Sequence, residues 1–346
     1  MTSVPRDTRV AYLDLLRCAA AVAVVLLHAA ALCWAKVPLR GASWVGLALL
    51  DSAVRWSVPV FFMITGALFL TRSAPVTPRA MLRGSLPRLA SAFIFWAMVY
   101  RLFAAFEKGR EPTVLTVIRE MPRGYYHLWF LPVMMGIYLL MPVLWHIFQN
   151  RVLARYLVVL WLVMVLLKAT EKFDPTLVLS GMADRVLGPE LAGYAPFVLL
   201  GALVASSSRR VPRWLLPMAL VGSISIVFLL TVRLSWARGV PDGYWFAYLT
   251  PAVVISGVAV FALARSQEQR LQRRQRLQAA LAWFGARTLG IYLVHPLVLG
   301  LATKYSIIPI EPMVPRVLAL WLMALAVSLL ATILIRQIPW LGARLV

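Results

Sequence analysis

"YLDLLRCAAAVAVVLLHAA" occupies residues 12–30. Its Ala, Val and Leu suit the middle of a bilayer, where a spanning helix needs about 20 mostly apolar residues. Asp14, Arg17 and His28 do not suit it. An ionisable side chain at bilayer depth is expensive, so it faces the bundle interior or a wet cavity rather than lipid. From Arg17 to His28 an α-helix turns three times plus about 20°, and Asp14 precedes Arg17 by three residues. The three side chains therefore share one face, spread over about 21 Å of axis. The stretch reads as a retained membrane helix with a single polar stripe. It is too long and too interrupted by charge for a cleaved signal peptide.

The same hydropathy recurs along the chain, near residues 10–34, 44–70, 86–106, 127–148, 152–168, 193–206, 213–234, 245–264, 280–301 and 315–336. Of the 346 residues, 62% are hydrophobic and 14% charged, far too apolar for a soluble domain, whose usual apolar share is about half. The expected fold is all-α: one domain over residues 1–346, a polytopic membrane bundle of about ten transmembrane helices with both termini cytoplasmic.

A net charge of +22 raises the question of nucleic acid. The distribution of charge answers it. With the N-terminus inside, the inner loops collect arginines such as Arg72, Arg79, Arg151, Arg155, Arg209, Arg210, Arg213 and the run "RSQEQRLQRRQR" at 265–276, against Asp7 and Glu268. Glu107, Glu111, Glu120, Glu171, Asp174, Asp184, Glu190, Asp242 and Glu311 fall outside. This is a topology and anionic-lipid signal, and no nucleic-acid partner is expected. Cys18 and Cys33 lie on one helix about 22 Å apart, too far to bridge. The longer outer loops, near 107–126 and 169–192, are expected to cover an outward cavity.

Besides the first helix, four places combine polar groups with membrane depth. Arg55 in "RWSVPVFFMITGALF" (55–69) lies near the depth of His28, with Pro59 and Gly66 marking a kink or close packing. Arg83 and Arg88 open the third span, as inner-face anchors or as an anion clamp. "YYHLWFLPVMMGIYLLMP" (125–142) opens the fourth span with His127 and Trp129. An interfacial aromatic belt accounts for its Tyr and Trp but not for His127. Tyr292 and His295 share a face in "GIYLVHPLV" (290–298). The plainer readings are an ion pair between Asp14 and Arg17 and an inter-helical hydrogen bond for His28. There is no HExxH, paired-carboxylate, G-x-S-x-G or glycine-rich phosphate motif. Imidazoles with arginines suit general-base or nucleophilic work on an anionic co-substrate.

Four of these stretches, in order, resemble the acyltransferase 3 family of integral membrane acyltransferases: "YLDLLRCAAAVAVVLLH" with its Arg-x10-His spacing, "VPVFFMITGALF", "HLWFLPVMMGIYLLMPVL" and "GIYLVHPLV". Within the family the chain looks most like compact bacterial O-acetyltransferases, such as that of enterobacterial common antigen. The resemblance implies an O-acyltransferase of the bacterial inner membrane that takes an acyl group, commonly from acetyl-CoA as co-substrate, to a hydroxyl of a sugar or glycan, free or lipid-linked. No metal is implied. It makes His28 the catalytic histidine and Arg17 its motif partner, with Asp14 beside them on the stripe. The family's Arg-x-x-Arg motif at the third helix finds its second arginine in Arg88. Position 85 is serine, which leaves Arg83 as the nearest substitute, at another helical angle. Arg88, Arg83 and Arg17 are thus the expected donor-binding residues; Arg55, His127, Trp129, Tyr292 and His295 are expected on the acceptor side. The competing class is a transporter or flippase using the same buried charges.

Overall fold

The computed structural model describes residues 10–109, 113, 119, 124–170, 190–209, 211–212, 214–338 and 342–346. Most of the two long loops expected to cover an outward cavity lies outside the described residues. Within them the chain is helical. In order come α1 (Ala11–Trp34), α2 (Ala42–Val54), α3 (Ser57–Phe69), α4 (Pro78–Arg83), α5 (Ser85–Glu107), α6 (Phe130–Gln149), α7 (Arg151–Thr170) and α8 (Glu190–Ser206). Then follow α9 (Leu215–Arg238), α10 (Pro251–Ser266), α11 (Glu268–Gln272), α12 (Gln275–Gly285), α13 (Thr288–Lys304), α14 (Met313–Gln337) and α15 (Gly342–Leu345).

Among the described residues, 8 spans are long and apolar enough to cross a membrane, and the bent pair α12–α13 makes up to 9. Leu191–Ser206 is a shorter apolar helix at the place of the sixth expected segment. The all-α polytopic bundle follows. Its outer surface carries Val152, Met218, Leu229 and Leu330, each more than half exposed. Such a surface fits lipid, where helices satisfy their own backbone groups.

The spans alternate in direction. Loops and helix ends meet accordingly, as where Lys304 Nζ donates to the Phe106 carbonyl (3.0 Å) and Arg151 Nη1 donates to Ser206 Oγ (3.2 Å). The end that holds Ala11 is here proximal and the end that holds Trp34 distal. α1 runs through the middle, packed against α2, α3, α10, α12, α13 and α14. Its alanines make that possible: Ala20, Ala29 and Ala30 are fully buried, and small side chains let neighbouring backbones come close. Val10, the N-cap of α1, supplies no side-chain cap. Glu268 supplies one from across the bundle, accepting from the Ala11 (3.2 Å) and Tyr12 (2.7 Å) amides. A carboxylate at a helix N-terminus meets both its unpaired donors and its dipole.

Two of the breaks within spans shape the neighbourhood of α1 most. The second span breaks at Arg55–Trp56, between α2 and α3. Pro59 has no N–H to offer the Arg55 carbonyl, so the ladder is interrupted one turn before the proline. Gly66 then packs flush: a Cβ there would stand 1.8 Å from the Val198 carbonyl oxygen, and one at Gly201 would stand 2.2 Å from that of Met63. The pair gives α3 and α8 backbone-to-backbone contact, so the expected kink and the expected close packing both occur. The second break, at Ala286–Arg287, bends α12 against α13 by 54°. Its freed carbonyls find donors: Thr288 Oγ1 bonds Gly285 O (2.9 Å), Arg287 bonds Trp283 O, and Arg336 bonds Ala286 O.

Candidate functional site

Two adjoining cavities lie along α1. The inner one, about 230 Å³, runs from Arg17 past Val24 to His28, walled by Phe61, Thr65 and Phe69 of α3 and by Trp129, Phe130 and Tyr138 around α6. The second, about 350 Å³, lies proximal to it and shares Arg17, Leu89, Tyr138, Thr288 and Leu289, adding Ser85 and Arg88. α1, α5 and α13 run in one direction, so Arg17, Arg88 and Thr288 meet at their proximal ends. The bend before Thr288 matters here, because it starts α13 at this cavity and brings a helix N-terminus next to two arginines. Fixed cations and unpaired backbone donors together suit a phosphate-bearing ligand.

At the distal end of the inner cavity three imidazoles converge. The His28 ring lies 5.2 Å from that of His295 and 6.5 Å from that of His127, and His127 and His295 are 5.8 Å apart, all between centroids. His127 and His295 are fully buried, whereas His28 is half-buried and faces the cavity. His295 Nδ1 lies 3.1 Å from the Ile291 carbonyl. A carbonyl only accepts, so Nδ1 carries the proton and Nε2 keeps its lone pair. Tyr292 donates its hydroxyl to the His127 carbonyl, and Tyr100 donates to the Leu293 carbonyl (2.6 Å), which ties the residues before α6 and α5 to α13. Trp129 stacks on Tyr248 (5.9 Å) and meets Tyr194 at a tilt (5.2 Å), forming an aromatic wall. Among the described residues, no group of three or more His, Cys, Asp or Glu has the geometry to hold a metal ion.

A protein-family model described as an acyltransferase domain, acyltransferase 3, matches residues 10–336. The chain belongs to this acyltransferase family. No curated protein and no solved structure matches it.

The residues singled out in the acyltransferase's sequence are placed unequally. His28, Arg17, His127, Trp129 and Tyr292 line the inner cavity, and Arg17 and Arg88 line the proximal one. Asp14 pairs with Arg17 at 3.4 Å, the plainer reading of that spacing, yet Arg17 still faces both cavities. His295 lies behind His28 rather than on the cavity wall. Arg83 stands apart. It ends α4, a different helix from Arg88, and is exposed away from the cavity, because the chain turns at Gly84. Ser85, three residues before Arg88, does line it. Arg55 bonds Asp51 and the Phe246 carbonyl (3.2 Å), lies 4.4 Å over the Phe246 ring, and stands beside Tyr248 of the inner cavity's wall.

Asp51, 1% exposed, escaped the sequence reading. Its i,i+4 spacing to Arg55 was the available signal. Tyr138, Tyr248 and Thr288 carried no comparable signal, since a polar side chain on an apolar helix is common in membrane bundles.

Proposed function

We propose that this acyltransferase moves an acetyl group from acetyl-CoA to a hydroxyl of a cell-envelope sugar or glycan, in the inner membrane of a bacterium. One observation carries the reading: a half-buried histidine ends a pair of adjoining cavities, with Arg17 shared between them and Arg88 in the proximal one. The donor's phosphates suit the proximal cavity, where those arginines, Ser85 and the start of α13 gather. Arg17 and His28 are about 16 Å apart along α1, a span for the donor's extended arm. With its proximal end cytoplasmic, the molecule meets acetyl-CoA on the side where that donor is made. Residues 1–346 act as one catalytic unit. The likeness to compact bacterial O-acetyltransferases supports acetyl as the transferred group.

His28 serves as the base. It takes the proton of the acceptor hydroxyl as that oxygen attacks the thioester carbonyl carbon. The new C–O bond forms, the C–S bond breaks, and the proton passes from His28 to the departing thiolate. Buried His295 and His127 stand beside His28, their rings 5.2 and 6.5 Å from its own. A positioned base contributes about 10²–10⁴-fold. Full-length protein in liposomes with labelled acetyl-CoA tests this. His28→Ala should lower transfer by about that factor and leave the melting temperature unchanged. Unreduced transfer in a folded His28→Ala protein refutes the role. A wild-type protein that neither hydrolyses acetyl-CoA nor transfers its label, but moves a glycan across the bilayer, refutes the enzyme.

A further inference from the structure

A third cavity, about 210 Å³, sits at the distal end and takes no part in the scheme above. Lys36 follows α1, Glu107 ends α5, Thr303 and Lys304 end α13, and Tyr125 and Tyr126 precede α6; all six line it. Its position follows from the same parallel run of α1, α5 and α13 that gathers the arginines at their other ends. Tyr126 separates it from the imidazole cluster, with its ring 5.1 Å from that of His28. The cavity is thus one aromatic ring away from His28.

The lining is organised and cationic. Lys304 is held in place, donating to the Phe106 carbonyl at 3.0 Å with its ammonium 3.8 Å over the Phe106 ring. That bond uses one of three ammonium hydrogens. Lys36 makes no ion pair among the described residues. Glu107 is occupied differently, accepting from the Tyr125 hydroxyl at 3.2 Å. Burial, and then the Glu107 carboxylate, push the Tyr125 hydroxyl up to about 12, so it stays protonated at neutral pH and keeps donating. Two ammonium groups thus face one carboxylate that already has a donor. An anion placed between the lysines gains both charges, while Glu107 and Thr303 remain able to bond hydroxyls. The two tyrosine rings offer flat apolar faces of the kind on which sugar rings stack.

We propose that this distal cavity is the acceptor subsite and that it selects a hydroxylated acceptor bearing an anionic group, a sugar carboxylate or a sugar phosphate, through Lys36 and Lys304. The inference rests on the acyltransferase reading. The test uses full-length protein in liposomes, labelled acetyl-CoA, and three acceptors: methyl glucoside, methyl glucuronide and methyl glucoside 6-phosphate. The anionic acceptors should show higher kcat/KM than the neutral one, and whichever of the two is better identifies the anion. In Lys36→Gln/Lys304→Gln, with its melting temperature checked, the anionic-to-neutral ratio should fall at least about fivefold, roughly 1 kcal/mol. Equal kcat/KM for charged and neutral acceptors, or a ratio that survives the double substitution, overturns the subsite. So does His28-dependent hydrolysis of acetyl-CoA without transfer to either anion, which leaves the acyltransferase reading standing. Absence of both hydrolysis and transfer overturns the two together.

Discussion

Arg17 carries two roles that a single pair of substitutions separates. It pairs with Asp14 at 3.4 Å, and it lines both the proximal and the inner cavity. The pair itself is weak. The Arg17 side chain is 30% exposed, and a partly exposed i,i+3 pair contributes only about 0.3–0.5 kcal/mol. A bond from Arg17 to a donor phosphate is worth more, about 1.5–3 kcal/mol for a charged group. Arg17→Gln should therefore weaken donor binding by about 10- to 150-fold. Asp14→Asn, which removes the carboxylate charge and leaves Arg17 in place, should change it less than about threefold. Equilibrium binding of labelled acetyl-CoA to protein in detergent reads both directly, without the assumption that KM equals Kd. The gap between wild type and Arg17→Gln should narrow from 50 to 500 mM salt, as the Debye length falls from more than about 10 Å to a few Å. Wild-type donor affinity in Arg17→Gln, or equal losses in the two variants, refutes the assignment of Arg17 to the donor.

Three further substitutions test how the site is held. Asp51→Ala strands the buried Arg55 charge and should cost about 3–5 kcal/mol; Asp51→Ala/Arg55→Met should recover much of that in thermal unfolding, and a double variant as unstable as the single refutes a charge-pair origin. Gly66→Ala puts a methyl 1.8 Å from the Val198 carbonyl oxygen, so it should lower the melting temperature and disturb the cavity wall, whereas Gly222→Ala, with nothing within 4 Å, should do neither. Glu268→Ala releases the Ala11 and Tyr12 amides and should cost about 1–3 kcal/mol, with faster hydrogen exchange confined to the first turns of α1; unchanged exchange there refutes the capping role.

The amino-acid sequence alone determined the class of the molecule. Hydropathy is a local property, so spans such as Ala11–Trp34 and Met313–Gln337 are legible one at a time. The alignment of Arg17 with His28 is equally local, since a regular helix sets the angle between residues of known spacing. That is why both line the inner cavity of the folded protein. Partners from distant helices were not legible. The meeting of His28, His127 and His295 depends on how α1, the residues before α6, and α13 pack, and no spacing along the chain encodes it. The fate of Arg55 and Arg83 shows the same division. Each had a residue type suited to the site, Arg55 near the depth of His28 and Arg83 five residues before Arg88. A break at Gly84 moved Arg83 onto another helix, and Asp51 with Phe246 hold Arg55 beside Tyr248 of the cavity wall. Burial of a charge is an early and local requirement, but its partner is chosen by whichever groups the packed bundle brings within bonding distance.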